Sequence, residues 1–272
     1  MNPASSELPS GELVAVSYEG PTATITLNRP ERLNALGDTL REDLHDAVMH
    51  ASEDGQVRVM IVTGAGKGFC SGGDVKAMNE RKTQGGERPL GEKVAPGRDR
   101  TVLALRDTPK PVIAAVNGAA AGAGMNLALA CDIRVASTAA KFAQAFVRRG
   151  LHPDWGGTYF LPRVVGVAKA AELIWTGEII EATEALRLGI VSAVHAPEDL
   201  MPAAHALAAR IAAGPPVAIR LAKRAIYHNL ECDLRQALEF ETFAQNICFE
   251  TEDAREGIRA FVDKRAPSFQ GR

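Results

Sequence analysis

Two stretches of this chain hold residues whose types and spacing could do chemistry. The first is the small-residue run Gly118–Gly124, set between a buried apolar run, Val112–Val116, and an apolar segment, Met125–Ala130. Small residues let backbone approach backbone or a ligand. The free N–H groups at the start of a helix there attract negative charge. Further on, Asp154 lies between Pro153 and Trp155 and is followed by Gly156 and Gly157. The joint reading is a pocket that stabilises developing negative charge, with Asp154 as its candidate acid or base. Taken alone, the residues favour an aspartate that only caps the turn before the two glycines.

The second stretch is Ser71-Gly72-Gly73-Asp74-Val75-Lys76. It follows an apolar strand, Val57–Thr63, and a glycine-rich loop, Gly64–Gly68. The loop is not a P-loop, because Lys67 is misplaced and no Ser or Thr follows it. Gly72 and Gly73 permit close approach of a ligand, and Asp74 reads first as a helix N-cap.

The elements that must position these stretches follow from periodicity. Leu13–Ser17 and Ala23–Leu27 predict a hairpin. Leu36, Leu40, Leu44 and Val48 recur at helical spacing. Thr101–Asp107 is a short helix, Ile133–Ala136 a strand, Val167–Trp175 and Glu181–Leu188 helices, and Ile190–Val194 a strand. From Glu198 onward the pattern is all-helical, over 200–213, 215–228, 233–248 and 253–264. Strands alternating with helices and giving way to helices suggest an α/β core with a helical C-terminal region. The segment 79–100 is polar and aperiodic and reads as a lid, and 1–11 as a frayed polar tail with no signal peptide.

The chain is 46% hydrophobic and 24% charged with a net charge of −2, so a basic nucleic-acid surface is disfavoured. No apolar run reaches the roughly 20 residues of a membrane span. The four cysteines form no CxxC pair, which points to reduced thiols, a cytoplasmic setting and no metal site.

The stretch 112–157, N-R-P-E-R-L-N-A-L over Asn28–Leu36, T-G-A-G-K-G-F-C-S-G-G-D over Thr63–Asp74 and E-G-I-R-A-F-V-D-K-R over Glu256–Arg265 together resemble the enoyl-CoA hydratase/isomerase (crotonase) superfamily. The resemblance covers roughly residues 12–270 and keeps the family's order. It implies a crotonase-like (ClpP/crotonase) spiral of ββα units over 12–197 and a helical trimerisation region over 198–272. It also implies an acyl-CoA thioester substrate, with CoA part of the substrate and no other cofactor, and a homo-oligomer that is a trimer or a dimer of trimers. The backbone N–H groups at Gly73 and Ala123 would form an oxyanion hole. Arg32, Ala35, Ser71, Asp74, Val75 and Lys264 would lie along CoA.

One departure bears on the reaction. Hydratases of the family use two glutamates, and the matching positions here are Asn126 and Phe146, neither of which transfers a proton at neutral pH. Members that shift double bonds carry an aspartate at the position of Asp154, and P-D-W-G-G resembles the ring-epoxide isomerases of phenylacetyl-CoA breakdown. The expected mechanism is a proton shift by Asp154, with Asn126 orienting the substrate or Asp154 and burial beside Phe146 and Trp155 raising the aspartate's pKa. Hydration with a non-standard carboxylate, such as Glu87 or Glu92, and a non-catalytic acyl-CoA binder stand as alternatives. Dehalogenation is disfavoured, because no histidine lies between Ala51 and Leu151.

Overall fold

The computed structural model describes residues 13–83 and 100–272. The expected tail and most of the expected lid, with Glu87 and Glu92, lie outside the described residues. Strands are numbered in chain order. Val14–Glu19 (β1) and Thr22–Leu27 (β2) pair antiparallel around Gly20-Pro21, a tighter hairpin than the sequence suggested. Gly20 makes the short turn with a φ of 54°. Val59–Gly64 (β3), Val112–Val116 (β5), Ile133–Ser137 (β7) and Ala193–His195 (β10) extend the sheet in parallel, in the order β1-β2-β3-β5-β7-β10. β3 and β5 are buried along their whole length, which is why they read as continuous apolar runs.

A second sheet is built from short strands: Gly68–Cys70 (β4), Ala119–Ala121 (β6), Lys141–Ala143 (β8) and Ile179–Glu181 (β9). Each turn of the chain gives one strand to the first sheet, one to the second, and then a helix. β3 and β4 precede Val75–Thr83 (α2), β5 and β6 precede Ala123–Ala130 (α4), and β7 and β8 precede Gly157–Val165 (α5). This is the spiral of ββα units.

The main core fills the space between the sheets. Leu40–Glu53 (α1) buries Leu40, Leu44, Ala47, Val48 and Ala51 there, each large apolar side chain contributing roughly 1.5–3 kcal/mol. Leu36, expected on the same helix, instead bridges Gly73, because Asn34 and Asp38 take positive φ and delay the helix to Leu40. Arg100–Asp107 (α3), Val167–Thr176 (α6) and Ala182–Arg187 (α7) complete this side. Leu200–Ala212 (α8) covers the opposite face of the first sheet, with Leu200, Ala204, Ala208 and Ala212 against Val59, Ile61, Ile113, Ala115 and Val135. By its packing α8 belongs with the core, although the sequence groups it with the C-terminal helices.

Pro216–His228 (α9), Leu234–Phe249 (α10) and Glu252–Val262 (α11) follow. α9 is fastened to the core by Lys223, whose ammonium donates to Asp132 at 2.8 Å and to the carbonyls of Leu105 and Lys110, while the Tyr227 hydroxyl donates to the same carboxylate. α10 starts in a reciprocal cap between Asp233 and Gln236. Among the described residues no helix is long and apolar enough to cross a membrane. All four cysteines are free thiols, and burial pushes Cys70 and Cys131 up to about 12.

Candidate active site

The ends of β4 and β6 meet at a cavity of about 430 Å³, within the range of small-molecule sites. Gly72, Gly73, Gly122 and Ala123 form one wall, and Phe146, Pro153, Asp154 and Trp155 another. The two strands are parallel neighbours, and a Cβ on Gly72 would stand 2.6 Å from the Ala121 carbonyl oxygen, so only glycine admits this approach. Gly122 takes φ 54° and ψ −123°, a conformation L side chains avoid, and donates its N–H to the Ala143 carbonyl. Ala123 is the first residue of α4, so its N–H has no acceptor within the helix and carries the positive end of the helix dipole.

The Asp154 turn is held from below. Asn126 is wholly buried on α4, and its Nδ2 donates to the Asp154 carbonyl at 2.7 Å. Gly157 N–H donates to the same carbonyl at 3.1 Å. Asn126 Oδ1 in turn accepts from Gln144 Nε2 at 2.7 Å. Gln144 is 1% exposed, and its Oε1 has no partner among the described residues, a cost of about 1–3 kcal/mol. The turn is strained, because Trp155 sits at φ 53° with its side chain buried, and Gly156 follows at φ 76°. Asn126 therefore holds the main chain of Asp154. The expected burial of Asp154 is not found. Pro153 and Trp155 are buried on either side of it, and Asp154 itself is exposed at the cavity. His152 also lines the cavity, and its Nδ1–H donates to the Pro153 carbonyl at 2.6 Å.

The expected CoA residues divide. Ser71 and Val75 line the cavity, and the Ser71 hydroxyl donates to the Arg32 carbonyl at 3.3 Å, which places the exposed Arg32 loop beside it. The carbonyl of the buried Ala35 accepts from Arg29. The Asp74 carboxylate is occupied internally: it receives the Ala77 N–H at 3.1 Å, which makes it the N-cap of α2, and the Arg29 guanidinium at 2.8 Å. Its carbonyl is occupied as well, accepting the Met78 N–H at 3.0 Å. Lys264, at φ 52° beyond the end of α11, is outside the cavity of the single chain.

Arg29 is a positioning group that sequence reasoning missed. It is 7% exposed and ties Asp38 at 2.7 Å, the Ala35 carbonyl and Asp74 into one knot. Its partner Asp74 is 45 residues away in the chain, so nothing near Pro30 announces the pair. The Ala77 N–H, then Arg29, hold the Asp74 carboxyl below the usual carboxylate range. A depressed pKa contributes stability that is complete above the ordinary value of about 3.9 and is lost as pH falls through the lower folded value. Asp74→Asn is expected to cost about 1–3 kcal/mol at neutral pH and progressively less in acid. Urea melts of both proteins at pH 7 and pH 3 check this, and an equal gap at the two pH values would contradict it.

Comparison with known proteins agrees with this architecture. The family model described as enoyl-CoA hydratase/isomerase matches residues 18–272. The chain is 42% identical over 255 residues to the short-chain-enoyl-CoA hydratase of Clostridium acetobutylicum, covering 93% of this chain and 95% of that one. It is 40% identical over 261 residues to the 1,2-epoxyphenylacetyl-CoA isomerase of Escherichia coli, covering 96% and 99%. The crystal structure of an enoyl-CoA hydratase from Bacillus anthracis superposes with a TM-score of 0.89 at 37% identity, over 96% of this chain and all of that one. The spiral fold, the glycine-lined cavity and the near full-length match lead to one conclusion: this chain belongs to the enoyl-CoA hydratase/isomerase family of the crotonase superfamily.

Proposed function

We propose that this enzyme moves a double bond, or opens and rearranges a ring epoxide, in an enoyl- or aryl-CoA thioester. The observation that carries the reading is that Asp154 is the one carboxylate among the described residues lining the cavity, while Asn126 and Phe146 stand where hydratases need glutamates. The thioester oxygen sits between the N–H groups of Gly73 and Ala123. Asp154 takes a proton from C2 of a 3-enoyl thioester, the electron pair delocalises onto that oxygen as a dienolate, and the proton returns at C4. One carboxylate serves as base and then acid, and the backbone dipoles stabilise the charge while it exists. A proton shift requires no metal and no redox group.

The test is NMR in D2O with a 3-enoyl-CoA, a 2-enoyl-CoA and a non-conjugated aryl-CoA. Deuterium uptake with a shifted double bond supports the reading. Formation of 3-hydroxyacyl-CoA would replace it with hydration. That second reading draws on the hydratase names among the relatives and on His152, a second proton carrier on the cavity wall.

The same reading includes assembly of the chain with itself as a trimer or a dimer of trimers. That part of the reading is supported by Leu234, Phe243, Phe249, Ile258, Phe261 and Val262, large apolar side chains that expose more than half of their surface on α10 and α11. The reading also places Arg32, Ala35, Ser71, Val75 and the main chain of Asp74 along CoA, with Lys264 reaching a neighbour's ligand, in a cytoplasmic enzyme. Sedimentation velocity is expected to give three or six times the single-chain mass, and a monomer at micromolar concentration would remove the assembly.

A further inference from the structure

The wall opposite the glycines is supported by a buried polar pair that the reaction itself does not touch. Asp154 presents its carbonyl to Asn126 Nδ2, so the Asn126 amide has one orientation, with Oδ1 facing Gln144. Gln144 must then present its Nε2 donor, and its Oε1 is left without a partner. A buried amide held with one end unsatisfied is explained by what its other end secures. Here that is the strained turn of Trp155 and Gly156, at φ 53° and 76°. Space is tight as well, since a Cβ on Gly157 would lie 2.4 Å from Asn126 Nδ2.

We propose that Gln144 is a positioning residue which, through Asn126, locks the Asp154–Gly156 turn in the conformation that keeps the Asp154 carboxylate at the substrate cavity. The proposal rests on the reading of Asp154 as the acid/base. Gln144 does not line the cavity, so it acts by direction alone: a donor is required toward Asn126, and an acceptor there disrupts the turn.

Two variants test this against trans-3-hexenoyl-CoA, with Asp154→Asn assayed in parallel. Gln144→Met keeps the volume and removes the donor; kcat is expected to fall about 10–100-fold, the scale of a small misplacement of a catalytic group, with KM little changed. Gln144→Glu is the diagnostic variant. When protonated, its carboxyl donates to Asn126 Oδ1 and replaces the amide. When ionised, it offers only acceptors. Burial raises a carboxyl's pKa, which brings the change into the assayable range. The ratio of variant to wild-type kcat is therefore expected to fall as pH rises. Arg41, Arg149, His152 and Asp154, the titratable and charged groups lining the adjacent cavity, are common to both proteins and cancel in that ratio.

Wild-type kcat in both variants would overturn the proposal. So would a Gln144→Glu ratio that is flat with pH while the melting temperature drops, since that is the signature of a merely structural role. If Asp154→Asn stays active, or the wild type leaves the 3-enoyl thioester unchanged, the reading of Asp154 fails and the positioning role with it. An inactive Asp154→Asn beside fully active Gln144 variants removes the positioning role alone.

Discussion

Asp154→Asn is expected to lower kcat for the double-bond shift about 10²–10⁴-fold, the usual contribution of a positioned acid or base. The amide fills the same space and cannot exchange a proton at neutral pH. The contacts that hold the turn involve the Asp154 main chain, which receives Asn126 and Gly157, and the substitution leaves them intact. The effect should therefore appear in kcat, with CoA-ester affinity nearly unchanged. Single-turnover rates and a CoA-ester titration measure the two separately. Retained turnover would take Asp154 out of the mechanism, and lost affinity would make it a binding residue.

Gly122→Ala is expected to lower kcat about 10²–10³-fold, as removal of one oxyanion donor does elsewhere. The nearest neighbour of the new methyl would be the Phe146 ring, at 3.5 Å, which is ordinary contact. The backbone is what cannot be kept, because φ 54° with ψ −123° is closed to alanine. Relaxation of Gly122 turns the next peptide, and that peptide carries the Ala123 N–H. Gly189→Ala is the control: it also imposes an unfavourable positive φ, of 75°, and has open space around it. Both variants should melt below the parent protein, and only Gly122→Ala should lose the reaction. Equal kcat in the two would show that the Ala123 N–H does not reach the developing charge.

The parts of this fold that are legible in the sequence are those with long apolar periods. β5 falls where its five consecutive apolar residues place it, α9 starts one residue later than expected, and α10 is shifted by one residue at each end. The second sheet is not legible, because β4, β6 and β8 are three residues each, G-F-C, A-A-A and K-F-A, too short for alternation to show. For the same reason the repeating ββα unit has no visible period in the chain. α5 is hidden by Gly157 at its start and Pro162 within it. At the site, the glycine positions are readable because the turn chemistry demands glycine there. Arg29 and Gln144 are not, because each acts through a partner distant in the chain, Asp74 and Asn126 respectively.

The two walls of the cavity are made of different material. The wall proposed to stabilise charge is main chain, at the ends of parallel strands β4 and β6, which stand about 4.8 Å apart as neighbouring strands do. One acceptor atom between two such strand ends can be served from both sides. The wall proposed to move protons is side chain, on the loop carrying Phe146 and Asp154. In that reading, side chains on the second wall can be exchanged for another proton-transfer chemistry while the first wall keeps a main-chain clamp for the thioester. Names as different as hydratase and epoxide isomerase among relatives of near-equal similarity are what such a division of labour would leave behind.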